Sequence, residues 1–319
     1  MKILVTGGLG YIGSHISHLL GKKAVIIDNG INSNLNYKKL LPKAIVYKKS
    51  INYINLSKIF KDHKINAIIH LASLKAVGQS VINPLEYFEN NIVSAIELLK
   101  AMKEHKINNL IFSSTASVYG NKNKSPLKEN FNLQPLNPYG RSKIIIEEII
   151  SDYCHSNPKF KAISLRYFNA IGANTKAGLS DKPLGKPENL IPRIIDSIKK
   201  QELFKVYGKN YQTQDGTCIR DYIHVKDIAS AHINALRYIK NFKNHTAINL
   251  GMGKGLSVLG LIKIFEKENN LKIKYTFTKR RQGDPEVCFA DNRLAKIMLN
   301  WSPKHSYEEM LKDAWNSSK

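Results

Sequence analysis

Apolar and polar positions along the first half of the chain follow two rhythms. Short β-branched runs at residues 2–6, 24–28, 44–47, 67–70, 109–113 and 162–167 are almost continuously apolar, as strands covered on both faces are. Between them, at 12–20, 56–62, 84–104 and 139–155, apolar residues recur at helical spacing. Strand and helix in alternation predict βαβ units, hence an α/β fold with a doubly wound parallel sheet. After Asn169 the texture changes to a Gly/Pro/Lys/Asn-rich stretch from Gly172 to Pro192 and then to short mixed elements, which predicts a smaller mixed domain. The runs at 219–225 and 246–250 are sheet-like enough to return to the first domain. The expected division is therefore residues 1–168, with a return segment near 219–250, and a second domain from 169–218 and 251–319. No internal repeat or low-complexity tail interrupts this pattern.

A chain of 319 residues, 43% of them hydrophobic, is long enough for one large or two coupled domains with a deep cleft between them. No stretch reaches the roughly 18–20 uncharged apolar residues that span a bilayer. The opening Met1-Lys2-Ile3-Leu4-Val5-Thr6-Gly7 breaks too early for a signal peptide, so a cytoplasmic address without membrane attachment is expected. Cys154, Cys218 and Cys288 are an odd number without CxxC or His-linked spacing, which reads as reduced thiols, no disulfide frame and no metal site. The net charge of +24 raises a nucleic-acid partner, since clustered cations bind phosphate backbones through counterion release. Clustering is absent: the densest runs, such as Lys38-Lys39 and Lys279-Arg280-Arg281, are short, and lysines recur everywhere. A solvated, lysine-rich surface is the expectation, one that still attracts a diphosphate-bearing substrate.

The first strand runs directly into Gly7-Gly8-Leu9-Gly10-Tyr11-Ile12-Gly13 and then into a helical pattern. Glycines at 7, 10 and 13 permit a tight turn and close approach to a pyrophosphate at the helix N-terminus, the Rossmann arrangement for a dinucleotide. Asp28 closes the second strand 21 positions past Gly7, where a carboxylate accepts from ribose hydroxyls and repels a 2′-phosphate. The expected cofactor is NAD.

Tyr139-Gly140-Arg141-Ser142-Lys143 sets a phenol and an ammonium four residues apart, on one face of a helix that Pro138 helps to start. The ammonium is expected to lower the Tyr139 pKa towards that of a working general base. Ser113-Ser114-Thr115 ends the fifth strand, at the edge where open parallel sheets gather ligand groups. A Thr115 hydroxyl there can hydrogen-bond a substrate oxygen.

Glycine turn, acidic strand end, Ser/Thr strand end and YxxxK in this order resemble the extended short-chain dehydrogenase/reductase family over essentially the whole chain. Within it the sequence is most similar to the UDP-galactose 4-epimerases, through Gly7 to His15, Leu74 to Val81, Asn83 to Asn91, Pro138 to Lys143, Arg166-Tyr167-Phe168-Asn169, and Asp215-Gly216-Thr217 through Arg220-Asp221-Tyr222-Ile223-His224-Val225. The resemblance implies a UDP-hexose substrate, a homodimer, and catalysis by Tyr139, Lys143 and Thr115. It implies cofactor contacts from the glycines and Tyr11, Ile12, Asp28, Asn29, Ser50, Ile51, Leu71, Ala72, Lys75, Asn90, Lys143 and Phe168. Substrate contacts are implied for Thr115, Tyr139, Asn169, Asn189, Leu190, Val206, Tyr207, Arg220, Arg281, Asp284 and Cys288. The planar donors Arg220 and Arg281 suit a diphosphate, and Tyr207 a uracil pocket. Asp221 reads as structural.

Two positions depart from the family pattern. Ser50 stands where many members carry an acid for the adenine, and Cys288 where several enzymes restricted to UDP-glucose and UDP-galactose carry a tyrosine. A thiol leaves room for an acetamido group at C2 of the sugar, so UDP-GlcNAc and UDP-GalNAc are expected substrates too. A nucleotide-sugar dehydratase or decarboxylase of the same fold is the first alternative, but related dehydratases carry an Asp-Glu pair where this chain has Ala116-Ser117. A non-catalytic NAD- or RNA-binding protein is the second, and it leaves an intact catalytic set without a use.

Overall fold

The six apolar runs become β1 (Lys2–Thr6), β2 (Ala24–Ile27), β3 (Ile45–Tyr47), β4 (Ile65–His70), β5 (Asn109–Thr115) and β6 (Lys161–Tyr167). This is seen in a computed structural model that describes residues 2–33, 36–281 and 284–319; Met1, at the head of the expected first domain, lies outside them. Later strands are β7 (Asn169–Ile171), β8 (Phe204–Tyr207), β9 (Ile219–Arg220), β10 (Tyr222–His224), β11 (His245–Leu250), β12 (Leu256–Ser257), β13 (Tyr275–Thr278) and β14 (Val287–Cys288). The helices are α1 (Tyr11–Leu20), α2 (Tyr37–Leu40), α3 (Tyr53–Asp62), α4 (Val77–Ile82), α5 (Pro84–Phe88), α6 (Ser94–Glu104), α7 (Pro138–Ser156), α8 (Leu190–Lys200), α9 (Val225–Tyr238), α10 (Val258–Asn269), α11 (Arg293–Leu299) and α12 (Tyr307–Asn316).

The main sheet has the order β11-β6-β5-β4-β1-β2-β3, and its paired neighbours run parallel. Strand order reverses between β1 and β4, the switch point outside whose carboxyl ends such sheets bind ligands. Residue parity sorts the core. Ile3, Val5, Ile26, Ile111, Ile163 and Ile248 face Ile16 of α1 and Ile228, Ala231 and Ala235 of α9. Leu4, Val25, Ile68, Leu110 and Phe112 face α3, α6 and α7 through Leu56, Ile59, Leu98, Met102, Ile146 and Ile150. A separate apolar cluster joins α8, β8, α10 and α12 through Ile194, Phe204, Leu261, Phe265 and Met310.

Two elements differ from the sequence pattern. Residues 84–104 do not form one helix: α5 passes into a π-helical turn, Glu89–Val93, before α6 begins. Within that turn the Asn91 side chain accepts from the Leu74 amide (2.8 Å) and donates to the Leu74 carbonyl (3.1 Å) and Ser142 Oγ (3.1 Å). Such single π turns gather at functional sites, and Asn90 of this one lines the cleft described below. Segment 219–225 does not join the main sheet. Asp221 divides it, so that β9 pairs with β12 and β14 and β10 pairs with β7. The buried Asp221 carboxylate is held there by the amides of Met252 (2.7 Å), Gly253 (3.1 Å) and Ala290 (3.1 Å). Segment 245–250 does enter the main sheet, beside β6.

Candidate active site

A cleft of 1710 Å³ opens at the carboxyl ends of the sheet strands, bounded on its far side by α8, β8, Arg281 and Asp284. Single small-ligand pockets hold about 300–1,000 Å³, so this one has room for two nucleotides end to end.

The first end is built by the glycine turn. Gly7 has φ +67°, and a Cβ on it would lie 2.8 Å from the Ala72 nitrogen. A Cβ on Gly13 would lie 2.1 Å from the Gly7 carbonyl oxygen, so α1 can start this close to β1 only without a side chain. Gly10 is the N-cap and no side chain caps the helix, which leaves the amides of its first turn to an anion. The Asp28 carboxylate accepts from the Leu9 (2.9 Å) and Gly30 (2.8 Å) amides and faces the cleft. Asn29, Ser50, Ile51, Leu71, Ala72, Lys75 and Asn90 line the same end with Tyr11 and Ile12. The donor set fits a dinucleotide: a turn crowded for any Cβ at two of its glycines, an uncapped helix and a fixed carboxylate.

The middle of the cleft carries Tyr139. Its helix, α7, starts at Pro138, and the Asn137 side chain accepts from the Gly140 amide (2.8 Å). Thr115, at the end of β5, hydrogen-bonds the Tyr139 phenol and accepts from the Ser117 amide (3.2 Å). Lys143 Nζ lies 5.8 Å from the Tyr139 ring centre, donates to the Ser113 carbonyl (2.9 Å) and Ser73 Oγ (3.1 Å), and is 1% exposed. Thr115 and Lys143 therefore stand behind the cleft wall, in contact with it through Tyr139 and Ser113.

The expected lowering of the Tyr139 pKa is not found. Burial pushes the phenol up to about 12, with the Thr115 hydrogen bond acting the other way. Burial likewise pulls Lys143 down to about 7, against the pull of Glu147. For each group desolvation outweighs the opposing effect, the Thr115 bond at Tyr139 and the Glu147 charge at Lys143. Sequence spacing shows the neighbourhood and not its dryness.

At the far end, Asn169, Asn189, Leu190, Val206, Tyr207, Arg220, Arg281 and Asp284 line the wall. Arg281 stacks on the Tyr207 ring at 4.1 Å and Arg193 approaches it at 5.0 Å. Burial raises the Tyr207 pKa, but Arg193 and Arg281 together bring it below its usual value. Arg220 is held by one bond to the Ile219 carbonyl (2.9 Å), and Asp284 lies 3.6 Å from Nη2. That buried Nη2 has no hydrogen-bond partner among the described residues, which costs free energy unless a ligand supplies an acceptor.

Besides Thr115 and Lys143, two further expected contacts lie off the cleft wall. Phe168 is buried with Val118, Tyr119, Leu127 and Ala290, and Cys288 packs half-buried against that cluster. Cys288 pairs in register with Arg220, and burial pushes its thiol up to about 11. Ser113 and Tyr167, which the sequence motifs contain without an assigned contact, line the cleft, and so does Arg193, which no motif contains. Arg193 could have been found, since it stands one helical turn beyond Asn189. Among the described residues no group of three His, Cys, Asp or Glu side chains could hold a metal ion, and no helix is long and apolar enough to cross a membrane.

Comparison with known proteins agrees with this geometry. Residues 3–251 match the model of the NAD dependent epimerase/dehydratase family. The chain belongs to that family. Family relatives include UDP-glucose 4-epimerases of Erwinia amylovora, 42% identical over 99% of this chain and 97% of the relative, and of Haemophilus influenzae, 42% identical over 100% and 98%. Among solved members, a UDP-glucose-4-epimerase of Stenotrophomonas maltophila with bound NAD and formylated UDP-arabinopyranose superposes with a TM-score of 0.96 at 37% identity, covering 100% of this chain and 98% of that one. A UDP-Glc/GlcNAc 4-epimerase of Campylobacter jejuni superposes at 0.85 with 34% identity, over 99% and 98%.

Proposed function

We propose that this chain is an NAD-dependent UDP-hexose 4-epimerase that interconverts UDP-glucose and UDP-galactose through a 4-keto sugar. The observation that carries the proposal is the buried Tyr139 phenol, bonded by Thr115 and backed by Lys143. It sits between an uncapped glycine-turn helix and the Arg220 guanidinium, whose Nη2 pairs with Asp284 at 3.6 Å but has no hydrogen bond among the described residues. In this assignment residues 1–168, with the return segment, hold the cofactor through the glycine turn, Asp28 and their cleft neighbours. Residues 169–218 and 251–319 hold the nucleotide sugar.

The roles follow from the chemistry of each group. Tyr139 takes the proton of the sugar 4-hydroxyl and later gives it back, while Thr115 orients the oxygen and Lys143 stabilises the phenolate. Bound NAD supplies the acceptor that takes the C4 hydride and returns it, and a positive nicotinamide charge. Arg220 and Arg281 hold the diphosphate, and Asn189, Leu190, Val206 and Tyr207 the uridine. With UDP anchored and the hexose loosely held, the ketone can turn its other face before reduction, so C4 inverts without net oxidation.

Acceptance of UDP-GlcNAc and UDP-GalNAc belongs to the same proposal. Its main support is the relative named as a UDP-Glc/GlcNAc 4-epimerase; Cys288, although off the cleft wall, leaves free the space that a tyrosine at that position would take. A homodimer is proposed through the outer faces of α6, the π turn before it and α7, where Ile96 and Ile145 are only half-buried and Val93 is 50% exposed. Free thiols at all three cysteines accord with a cytoplasmic enzyme.

Purified protein incubated separately with UDP-galactose and UDP-GalNAc, and followed by anomeric proton NMR, tests the function. Inversion of both supports the full proposal. Inversion of UDP-galactose alone removes the N-acetyl substrates, and inversion of neither removes the epimerase.

A further inference from the structure

Behind the catalytic helix lies a buried polar network that the reaction as described does not use. Glu147 stands one turn beyond Lys143 on α7 and is 4% exposed. Its carboxylate forms a two-pronged pair with Arg166 of β6, Nε to Oε1 at 3.1 Å and Nη2 to Oε2 at 2.6 Å. Ser114 of β5 donates to the same Oε1. Arg166 then donates from Nη1 to the Tyr119 hydroxyl (2.9 Å) and the Glu129 carbonyl (3.1 Å), and the Tyr119 hydroxyl donates to Asn249 of β11 (2.8 Å).

Burying such a pair costs much of what the pairing returns, and an apolar substitute often serves stability as well. Its placement suggests another use. Ser114 precedes Thr115 on β5, Arg166 precedes Tyr167 of the cleft wall, and Glu147 follows Lys143 by a turn. Three catalytic-side residues are thus bonded or chain-linked to a single carboxylate. On the assignment of Tyr139 and Lys143 made above, we propose that Glu147 is a positioning residue for epimerisation. It is the fixed counter-charge that keeps Lys143 an ammonium and locks α7 against the ends of β5 and β6.

The surroundings of Lys143 leave few other sources of negative charge. From α7 it meets the Tyr139 ring and Glu147, and from β5 the Phe112 ring at 4.9 Å and the Ser113 carbonyl. From the loop after β4 it meets Ser73 Oγ, and from β4 the buried His70, whose imidazole burial, and then the Lys143 charge, hold neutral at about 3. Facing Glu147 are Ser114, Arg166 and, at longer range, His245 at the start of β11. Glu147 is thus the carboxylate among these groups that favours the charged amine, and Arg166 is the cation that partly offsets it.

The test is a charge series: Glu147→Asp, Glu147→Gln and the double variant Glu147→Gln with Arg166→Gln. Lys143 is read directly through its 13Cε shift in protein labelled at lysine, assigned by its loss in Lys143→Met, and functionally through the pH profile of kcat for UDP-galactose. The titration midpoint and the alkaline limb of kcat are expected to fall furthest in Glu147→Gln, by a pH unit or more. The double variant should recover part of that fall, because the stranded guanidinium goes too, and Glu147→Asp should recover more. Where Glu147→Gln fails to fold, the double variant and Glu147→Asp still give the order. A midpoint that stays at the parental value in the double variant, or kcat lowered equally at every pH, overturns the proposal. Failure of the parent to epimerise any UDP-hexose would instead overturn the functional assignment, since the 13C titration needs no substrate.

Discussion

In the role proposed for it Tyr139 is a base with an elevated pKa, and that is the chemical problem the site would have to solve. Burial holds the phenol neutral, at about 12, so in the proposed reaction the Thr115 bond and the Lys143 charge would have to favour the phenolate, helped by the positive charge a bound NAD would supply. Replacing Tyr139 by Phe deletes only the oxygen. We expect kcat to fall by about 10²–10⁴, the usual worth of a positioned acid–base group, while UDP affinity by calorimetry stays within about twofold of the parent. A comparable loss of UDP binding would show that the phenol builds the pocket rather than the chemistry. The pair itself was legible in the sequence because i, i+4 spacing on a helix is geometry, and Thr115 because strand ends in parallel sheets are where ligands gather. The direction of the pKa was not, since it depends on dryness contributed by residues distant in sequence. Phe168 and Cys288 show the same limit: a position in a motif does not say which side of a wall the side chain takes.

At the scale of elements, hydrophobic period located the first six of the seven main-sheet strands to within two residues at either end, because a strand buried on both faces leaves an unbroken apolar run. It failed where a polar side chain overrides the period: Asn91 at the π turn and Asp221 between β9 and β10 both bond to backbone from other segments, which no local pattern contains. The glycine turn is the element whose demands are most exacting. Gly13→Ala would set a methyl 2.1 Å from the Gly7 oxygen and 2.8 Å from Gly8 Cα, and both obstacles are backbone. Overpacking of this kind costs about 1–3 kcal/mol. We expect a lower Tm and loss of co-purifying NAD, read by absorbance after denaturation. Gly78→Ala is the control, since its Cβ meets nothing within 4 Å; on α4 it should raise stability by about 0.4–1 kcal/mol. Equal Tm values for the two variants would mean that α1 can retreat from β1, and the close-approach argument would fall.

The molecule as a whole folds around imidazoles that burial keeps neutral, and this ties its stability to pH. Burial lowers His15 and His232 to about 4 and His70 and His224 to about 3, and it lowers His245 as well. An unfolded histidine titrates near 6.5, so below that pH the unfolded chain binds more protons than the folded one. The stability these groups contribute is complete above pH 6.5 and is lost as pH falls towards 4 and 3. Asp221 acts oppositely: burial raises it to about 6, so between about 6 and its ordinary value near 3.9 the folded state takes up the proton and gains. Burial raises Glu129 in the same sense, but two carboxyls set against five imidazoles leave a net loss, and the charge of +24 at pH 7 grows further on acidification, adding self-repulsion in the same direction. Calorimetric melts at pH 7.5, 6.5, 5.5 and 4.5 should therefore show a Tm that is level between the first two and falls with increasing steepness after that. His232→Gln separates the imidazole contribution from the repulsion. Glutamine can still donate to the Ile228 carbonyl and accept from the Tyr167 hydroxyl, the bonds His232 makes at 2.8 and 2.6 Å, but it cannot titrate. Its Tm should fall less than the parent's between pH 6.5 and 4.5. Parallel curves would mean that net charge, and not the buried imidazoles, sets the acid limit of the fold.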